Sequence, residues 1–371
     1  MSVAGGWFFL MVSESFQLGD KDFRLPGLGS YMSVAASAGN IPAMIWAALA
    51  MILLIVFLDQ VLWRPLVAWS QKFRIETISS NESIDSWFLH TLRSASLITH
   101  VKRYSGKMGK FILSILPKPK PEPKKGTSSI FLIILLSVLT GVVLYLLYLV
   151  KDVPLKDWLF LAKMGSLTFS RVVICLLISL AWTLPVGLCI GLSKNLSRFL
   201  QPLLQVMASF PSTLLFPILI WDLTFTHIPL EIGSIVLMLM GTGWYILFNI
   251  LAGVSTISTD LREMSASLQL STRQRFTALY LPGIFPYLTT GLLAAAGGAW
   301  NVSIVAEYLS YNGHILTTPG LGSSISLAAA EGNIPLLIAS ITVMVAIVIT
   351  LNYLVWLRLY HYSEKRFSLN T

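Results

Sequence analysis

Val254-Ser-Thr-Ile-Ser-Thr-Asp-Leu-Arg-Glu-Met-Ser-Ala-Ser-Leu-Gln-Leu-Ser-Thr-Arg-Gln-Arg-Phe-Thr-Ala-Leu-Tyr-Leu-Pro282 is a polar segment set between two apolar runs, 232–252 and 283–306. Ile257, Leu261, Met264 and Leu268 recur at spacings of four, three and four, the period of one helix face. Asp260 followed by Glu263 fits a capping box, and Ser271 with Gln274 fits a second. The spacing predicts a helix over about 261–269, a break near Leu270, and a second helix running toward Pro282. An apolar stripe on a helix outside a membrane needs a partner to cover it. This is the shape that presses into a groove on another protein.

The rest of the chain says which membrane setting this is. Of 371 residues, 55% are hydrophobic and 12% charged, where soluble domains carry about 25% charged. Mean hydropathy is +0.74. A water-soluble enzyme is excluded, and two cysteines exclude a disulfide scaffold or a multi-thiolate metal site. Seven runs are long enough to cross a bilayer as helices: about 42–63, 130–150, 168–192, 200–221, 232–252, 283–306 and 335–357. Val3 to Val12 is apolar but short, and without a basic start or cleavage site it does not read as a secretory signal. The fold class is therefore all-α: a polytopic membrane protein of about seven transmembrane helices plus a partial one at the N-terminus.

Charge placement orients these helices. With the segment before Ile130 placed inside and the helices threaded alternately, the inside loops are 64–129, 193–199, 253–282 and 358–371. They hold 20 of the 26 Lys and Arg. This obeys the positive-inside rule, so the net charge of +9 reflects topology and does not point to nucleic acid. Lys118-Pro-Lys-Pro-Glu-Pro-Lys-Lys125 reads as an extended, solvated linker. Trp87 to Leu116 mixes apolar and basic residues in the manner of a surface-lying segment.

The two ends of the chain resemble each other at a constant offset of 293 residues. Pro26-Gly-Leu-Gly-Ser30 recurs as Pro319-Gly-Leu-Gly-Ser323, Gly39-Asn-Ile-Pro42 as Gly332-Asn-Ile-Pro335, Glu14 as Glu307 and Trp63 as Trp356. Asn40 suits a helix cap with Pro42 in the first turn, and Pro-Gly-Leu-Gly suits a turn. The expected organisation is 1–72, the C-terminal portion of a first repeat; 73–129, a basic linker; and 130–371, a complete domain whose cytoplasmic loop spans about 255–282. The N-terminal copy begins mid-helix, as the tail of a first domain would.

Glu263-Met-Ser-Ala-Ser-Leu-Gln-Leu-Ser271, with Arg273-Gln-Arg-Phe276 and Leu281-Pro282, resembles the EAA loop of permease subunits in binding-protein-dependent ABC importers. Ser166-Leu-Thr-Phe-Ser-Arg-Val172, Phe210-Pro-Ser-Thr213, Gly253-Val254 and Ala306-Glu307 are similar to the nitrate/sulfonate/taurine branch. The likeness covers about 155–360, with its end repeated at 5–72. It implies a type I importer helical core in a bacterial inner membrane, with the loop and C-terminus cytoplasmic and a small, anionic solute. It implies as partners a cytoplasmic ATPase dimer, a periplasmic or lipoprotein substrate-binding protein, and a second permease copy, either itself or a related chain. It places Asp260, Glu263, Met264, Ser265, Leu268, Gln269 and Arg273 at the ATPase contact. The chain departs from the family at two places. The triplet is Glu263-Met264-Ser265 instead of Glu-Ala-Ala, and Gln269 stands where the family has glycine, which accepts a left-handed backbone more easily.

Arg171, Asp222 and Glu307 fall near the outer ends of their helices, so snorkelling to the interface is one reading. A sharper one gives Arg171 to a positive anion mouth, and Glu307 with Glu14 to an outer gate. The five histidines lack ligand spacing, and no Gly-rich phosphate loop is present, so no cofactor, metal or ATP site of its own is expected. A secondary carrier or channel remains an alternative, with Gly241-Thr-Gly243 as the best candidate for a broken helix. A non-transporting remnant is another.

Overall fold

The computed structural model describes residues 13–63, 65–66, 125–209, 216, 219–220, 225–226, 228–311 and 314–367. Asp222, Phe210 to Thr213, Val3 to Val12 and nearly all of the basic linker lie outside the described residues. The chain divides into two compact units, Met1–Met51 with Leu149–Thr371, and Ile52–Tyr148.

The elements run β1 (Ser15–Leu18), β2 (Lys21–Arg24), α1 (Leu28–Ser37), α2 (Ile41–Leu58), α3 (Lys125–Val150), α4 (Leu155–Leu192) and α5 (Lys194–Ser209). They continue as α6 (Leu230–Thr256), α7 (Thr259–Ser267), α8 (Thr272–Arg275), α9 (Leu281–Ala306), β3 (Tyr308–Tyr311), β4 (His314–Thr317), α10 (Leu321–Ala330), α11 (Ile334–Leu351) and α12 (Leu357–Phe367). Among the described residues, six helical stretches are long and apolar enough to cross a membrane: Ile41–Leu62, Ile133–Val150, Leu155–Leu192, Leu230–Thr256, Thr272–Ala306 and Ile334–Phe367. Of the seventh expected run, 200–221, residues 200–209 belong to α5, an amphipathic helix of 16 residues, and Phe216 and Ile220 beyond it are buried in the core. Its buried side presents Leu200 and Leu204 to Ile190, Leu247 and Leu251.

The core of the larger unit is a bundle of α4, α6 and α9. Its middle holds Val172, Cys175, Leu237, Met238, Ala299, Trp300 and Val302. Helix α6 passes unbroken through Gly241-Thr-Gly243. Gly243 is a packing glycine: a Cβ there would lie 2.7 Å from the Trp182 ring. Helix α4 begins at Leu155, well before the apolar run predicted from 168. The extra turns carry Leu161 and Met164 into the core and so belong to the fold rather than to a loop.

The 293-residue repeat holds to the residue. Hairpin β1–β2 matches β3–β4, α1 matches α10, α2 matches α11, and the π-helical turn Asp59–Trp63 matches Asn352–Trp356. Asn40 and Asn333 cap their helices by accepting from Ala43 N (3.1 Å) and Leu336 N (3.2 Å). Gly39 and Gly332 both take positive φ, 62° and 68°, where a Cβ would be strained. The two copies pack reciprocally, β1 against α10 and β3 against α1, as in an isologous contact about a pseudo-twofold axis. Gly19 N donates to Ala329 O at 2.9 Å across this contact.

Candidate functional site

The loop after α6 is held by its own caps and hydrogen bonds. Ser258 caps α7, its hydroxyl accepting from Leu261 N. The capping box expected from Asp260 and Glu263 is thus replaced by a cap two residues earlier, because the helix starts at Thr259. Asp260 lies in the first turn, where a carboxylate favours the helix dipole. Arg262 Nη2 donates to Val254 O at 2.6 Å and ties α7 back to the end of α6. Ser265 is buried and donates to Arg262 O. The predicted four-residue stripe divides in two. Ile257 is buried in the chain's own core and Leu261 is half-buried, whereas Met264 and Leu268 are 55% and 63% exposed. Glu263 and Arg273 are exposed beside them.

Helix α7 ends in a Schellman motif: Leu270 N donates to Ser265 O and Gln269 N to Ala266 O. Gln269 occupies the left-handed position at φ 50°, the one described non-glycine residue with positive φ. Gln269→Gly is therefore expected to stabilise the loop. A left-handed Cβ costs about 1–2 kcal/mol, and glycine's added freedom in the unfolded chain cancels part of this, leaving a net gain of about 0.5–1 kcal/mol. Thermal unfolding in one detergent measures it. An unchanged or lowered midpoint contradicts the expectation.

Ser271 and Gln274 form the predicted capping box, with Gln274 N donating to Ser271 Oγ and Ser271 N to Gln274 Oε1. Short α8 leads through a π-helical turn, Phe276–Tyr280, into α9. That turn adjoins Pro282, which cannot supply the N–H that α-helical continuation requires. Phe276, Leu279, Tyr280 and Leu281 bed on a core of Ile257, Val254, Ile284, Leu288 and Leu188. Through this cluster the loop is continuous with three spanning helices.

At the opposite end of α9 lies a second constellation. Arg171 is 7% exposed and Glu307 fully buried, and they pair at 2.8 Å. Arg171 also donates to Pro319 O and Thr318 Oγ1. Thr168 Oγ1 donates to Glu307 Oε1 at 2.8 Å and accepts from Leu321 N at 2.8 Å. Gly322 N donates to Glu307 Oε2 at 2.8 Å. The snorkelling reading of Arg171 and Glu307 is therefore corrected. Both turn inward, and each satisfies the other's charge, as a buried ionic group requires. A cation so committed clamps α4 to α9 and α10. Thr318 was not named from sequence, and Thr168 and Gly322 were quoted only within motifs, with no link to Glu307. The spacing from Glu307 to the glycines, repeated from Glu14, was the available signal.

The glycines of Pro319-Gly-Leu-Gly serve close approach and not a turn. A Cβ on Gly320 would collide with the Glu307 carboxylate, and one on Gly322 with the Ser303 carbonyl. Gly322→Ala is expected to cost about 1–3 kcal/mol by overpacking. Gly141→Ala, with open space around it, is expected not to destabilise. Melting midpoints of the two variants check this, and equal midpoints would contradict it.

In the first copy Glu14 Oε2 accepts from Gly29 N (2.7 Å) and Ser30 N (3.1 Å). Among the described residues no group of three or more His, Cys, Asp or Glu is placed to hold a metal.

A bundle of apolar spanning helices with a capped, exposed helix between two of them is the architecture of a multi-pass membrane protein. Residues 183–369, half of the chain, match the binding-protein-dependent transport system inner membrane component family, and the chain belongs to that family. It is similar to the nitrate import permease protein NrtB of Synechococcus elongatus, 28% identical over 40% of this chain and 52% of that protein. It is also similar to the aliphatic sulfonates transport permease protein SsuC of Bacillus subtilis, described as putative, 26% identical over 43% of this chain and 55% of that one. A third similar protein is the taurine transport system permease protein TauC of Escherichia coli, 26% identical over 48% of this chain and 62% of that one. The chain spans about half the length of these curated relatives.

Proposed function

We propose that this chain is a permease component of an ABC importer for a small anion, driven by a separate cytoplasmic ATPase that grips Met264 and Leu268 of α7. The exposed pair on a helix otherwise fixed at both ends carries the reading. Ser258, Arg262 and the Schellman turn make α7 rigid, and Ile257 and Phe276 join its flanks to the transmembrane core. A rigid lever on a packed core passes displacement on instead of absorbing it. In this reading Asp260, Glu263, Gln269 and Arg273 border the contact, and Ser265 holds the helix against its own loop. The loop and C-terminus face the cytoplasm of an inner membrane, with most of the basic residues. A substrate-binding protein meets the hairpin end.

The anion is proposed from the names of the relatives, which transport nitrate, sulfonates and taurine. Arg171 supports it only indirectly, since its charge is spent on Glu307. We assign Arg171, Glu307 and Glu14 to fastening the outer ends of the helices, where a gate needs a fixed frame. The test is purification of the tagged chain from its own membrane. An ATP-hydrolysing partner recovered in fixed proportion supports the reading. A chain that accumulates substrate in vesicles with no nucleotide hydrolase attached refutes it.

A further inference from the structure

Helix α9 is weakest where the loop enters it. The π-helical turn Phe276–Tyr280, then Pro282 and Pro286, follow one another at its root. A π turn shifts the helix register, and each proline removes an N–H from the ladder. Such a root bends unless something outside the helix holds it. Phe285 stands among these breaks and is held by α12. Its ring lies 4.9 Å from Phe367 and 6.3 Å from Tyr362 between centroids, and Tyr362 lies 6.0 Å from Phe367. All three pairs are tilted or edge-on, at the separations where aromatic rings attract. Arg366 closes the group: its Nη1 donates to Tyr362 Oη at 3.1 Å, and its guanidinium carbon lies 5.8 Å from that ring's centroid. Ser363, small and buried, sits between the two aromatic residues of α12, which packs on α9.

Helix α12 is the end of a long member. Ile334–Phe367 runs as one helical stretch of 34 residues and Thr272–Ala306 as one of 35. Each is therefore about 50 Å long, against about 30 Å of hydrocarbon. The root of α9 and α12 are the surplus at the loop's end. Deeper in the bundle, Met344, Ile347 and Leu351 of α11 lie on the core that holds Ala299 and Val302 of α9. The two members are thus joined at two heights. Between those heights α11 passes through a second π turn, Asn352–Trp356. The same turn recurs as Asp59–Trp63 in the first copy, so the repeated sequence sets it. The aromatic group stands between two soft turns, one on each member.

We propose that Phe285, Tyr362 and Phe367 form a clasp by which α12 positions the α7–α8 loop. The clasp splints the root of α9 and makes the two π turns yield together, so that a displacement of α7 and α8 reaches α11 as well as α9. The three rings are positioning residues, acting through the backbone of α9. The clasp needs no ATPase to exist; only its use in passing on displacement rests on the proposed function.

The test is amide hydrogen exchange, read by mass spectrometry on the full chain in nanodiscs. Phe367→Ala, a change on α12, is expected to speed exchange about tenfold over 276–281 on the other member, the worth of two aromatic pairs. Phe285→Ala, on α9, is expected to do the same over 352–356. A merely local role would loosen only the altered helix. The double variant should exchange more slowly than the product of the two single effects. Phe367→Tyr should restore protection, and 300–306 should stay protected throughout, the sign that the fold is intact. Loosening confined to the altered helix, or single effects that multiply in full, would overturn the proposal. With the co-purified ATPase, ATP and vanadate, exchange over 352–356 is expected to change in the unaltered chain and not in Phe285→Ala. An equal change in both would overturn the role in transmission. Absence of any ATPase would refute the proposed function and this use of the clasp, while reciprocal loosening would still establish the clasp itself.

Discussion

Arg171→Ala is expected to lower stability by about 3–5 kcal/mol, the cost of leaving a buried carboxylate without its counter-charge. The variant removes three donations at once, to Glu307, Thr318 and Pro319. It leaves Glu307 fully buried with only Thr168 and Gly322 as donors. Glu307→Gln is expected to cost less, because the amide oxygen still accepts from Gly322 N and the Arg171 guanidinium keeps Pro319 O and Thr318 Oγ1 as acceptors. The double variant Arg171→Ala/Glu307→Ala is expected to cost less than the two single alanine variants summed, since neither charge is then stranded. Thermal unfolding of the four variants and the unaltered protein in the same detergent measures this. An Arg171→Ala midpoint equal to that of the unaltered protein would remove the clamp from the account.

Met264→Asp/Leu268→Asp is expected to abolish association with the proposed ATPase while leaving the fold intact. Both side chains are more than half exposed, so the free protein loses little by the change. In a complex they would be desolvated, and a carboxylate buried there without a partner costs several kcal/mol. Two such residues at the centre of a contact behave as hot spots, worth about 2 kcal/mol or more each. That corresponds to a fall in affinity of about a thousandfold. The measurement is co-purified ATP hydrolysis, with thermal unfolding as the control for folding. Ala266→Asp, also exposed on α7, tests whether the apolar pair itself or the whole helix surface is read. Hydrolysis retained by the double variant would contradict the proposed contact.

How much of this could be read from sequence depended on the range of the interactions. The loop's helix, break and second capping box were legible because each is set within about five residues. Ser271 with Gln274 is such a case, and so is the Schellman turn at Gln269. The first cap was misplaced by two residues because Asp260-x-x-Glu263 satisfies the same pattern as a true box, while Ser258 satisfies it only in part. The stripe was legible as a period, but its division between self-burial and exposure was not. Ile257 is claimed by Ile284 and Leu188, and both are remote in sequence. The repeat was legible in register, yet not the hairpins inside it. Strands of four residues joined at Gly19 carry too little alternation to stand out. Arg171 and Glu307 were both noticed, but their union across 136 residues depends on how α4 and α9 pack, which no local pattern encodes.

In the proposed function α7 projects toward the compartment that holds ATP, so Glu263 is reachable from that side of the membrane. Cys175 is buried and Cys189 exposed, and neither is disulfide-bonded, so both are replaced by serine and Glu263→Cys is introduced. A membrane-impermeant maleimide is then applied to right-side-out and inside-out vesicles. Labelling is expected in inside-out vesicles alone. Labelling confined to right-side-out vesicles would contradict it.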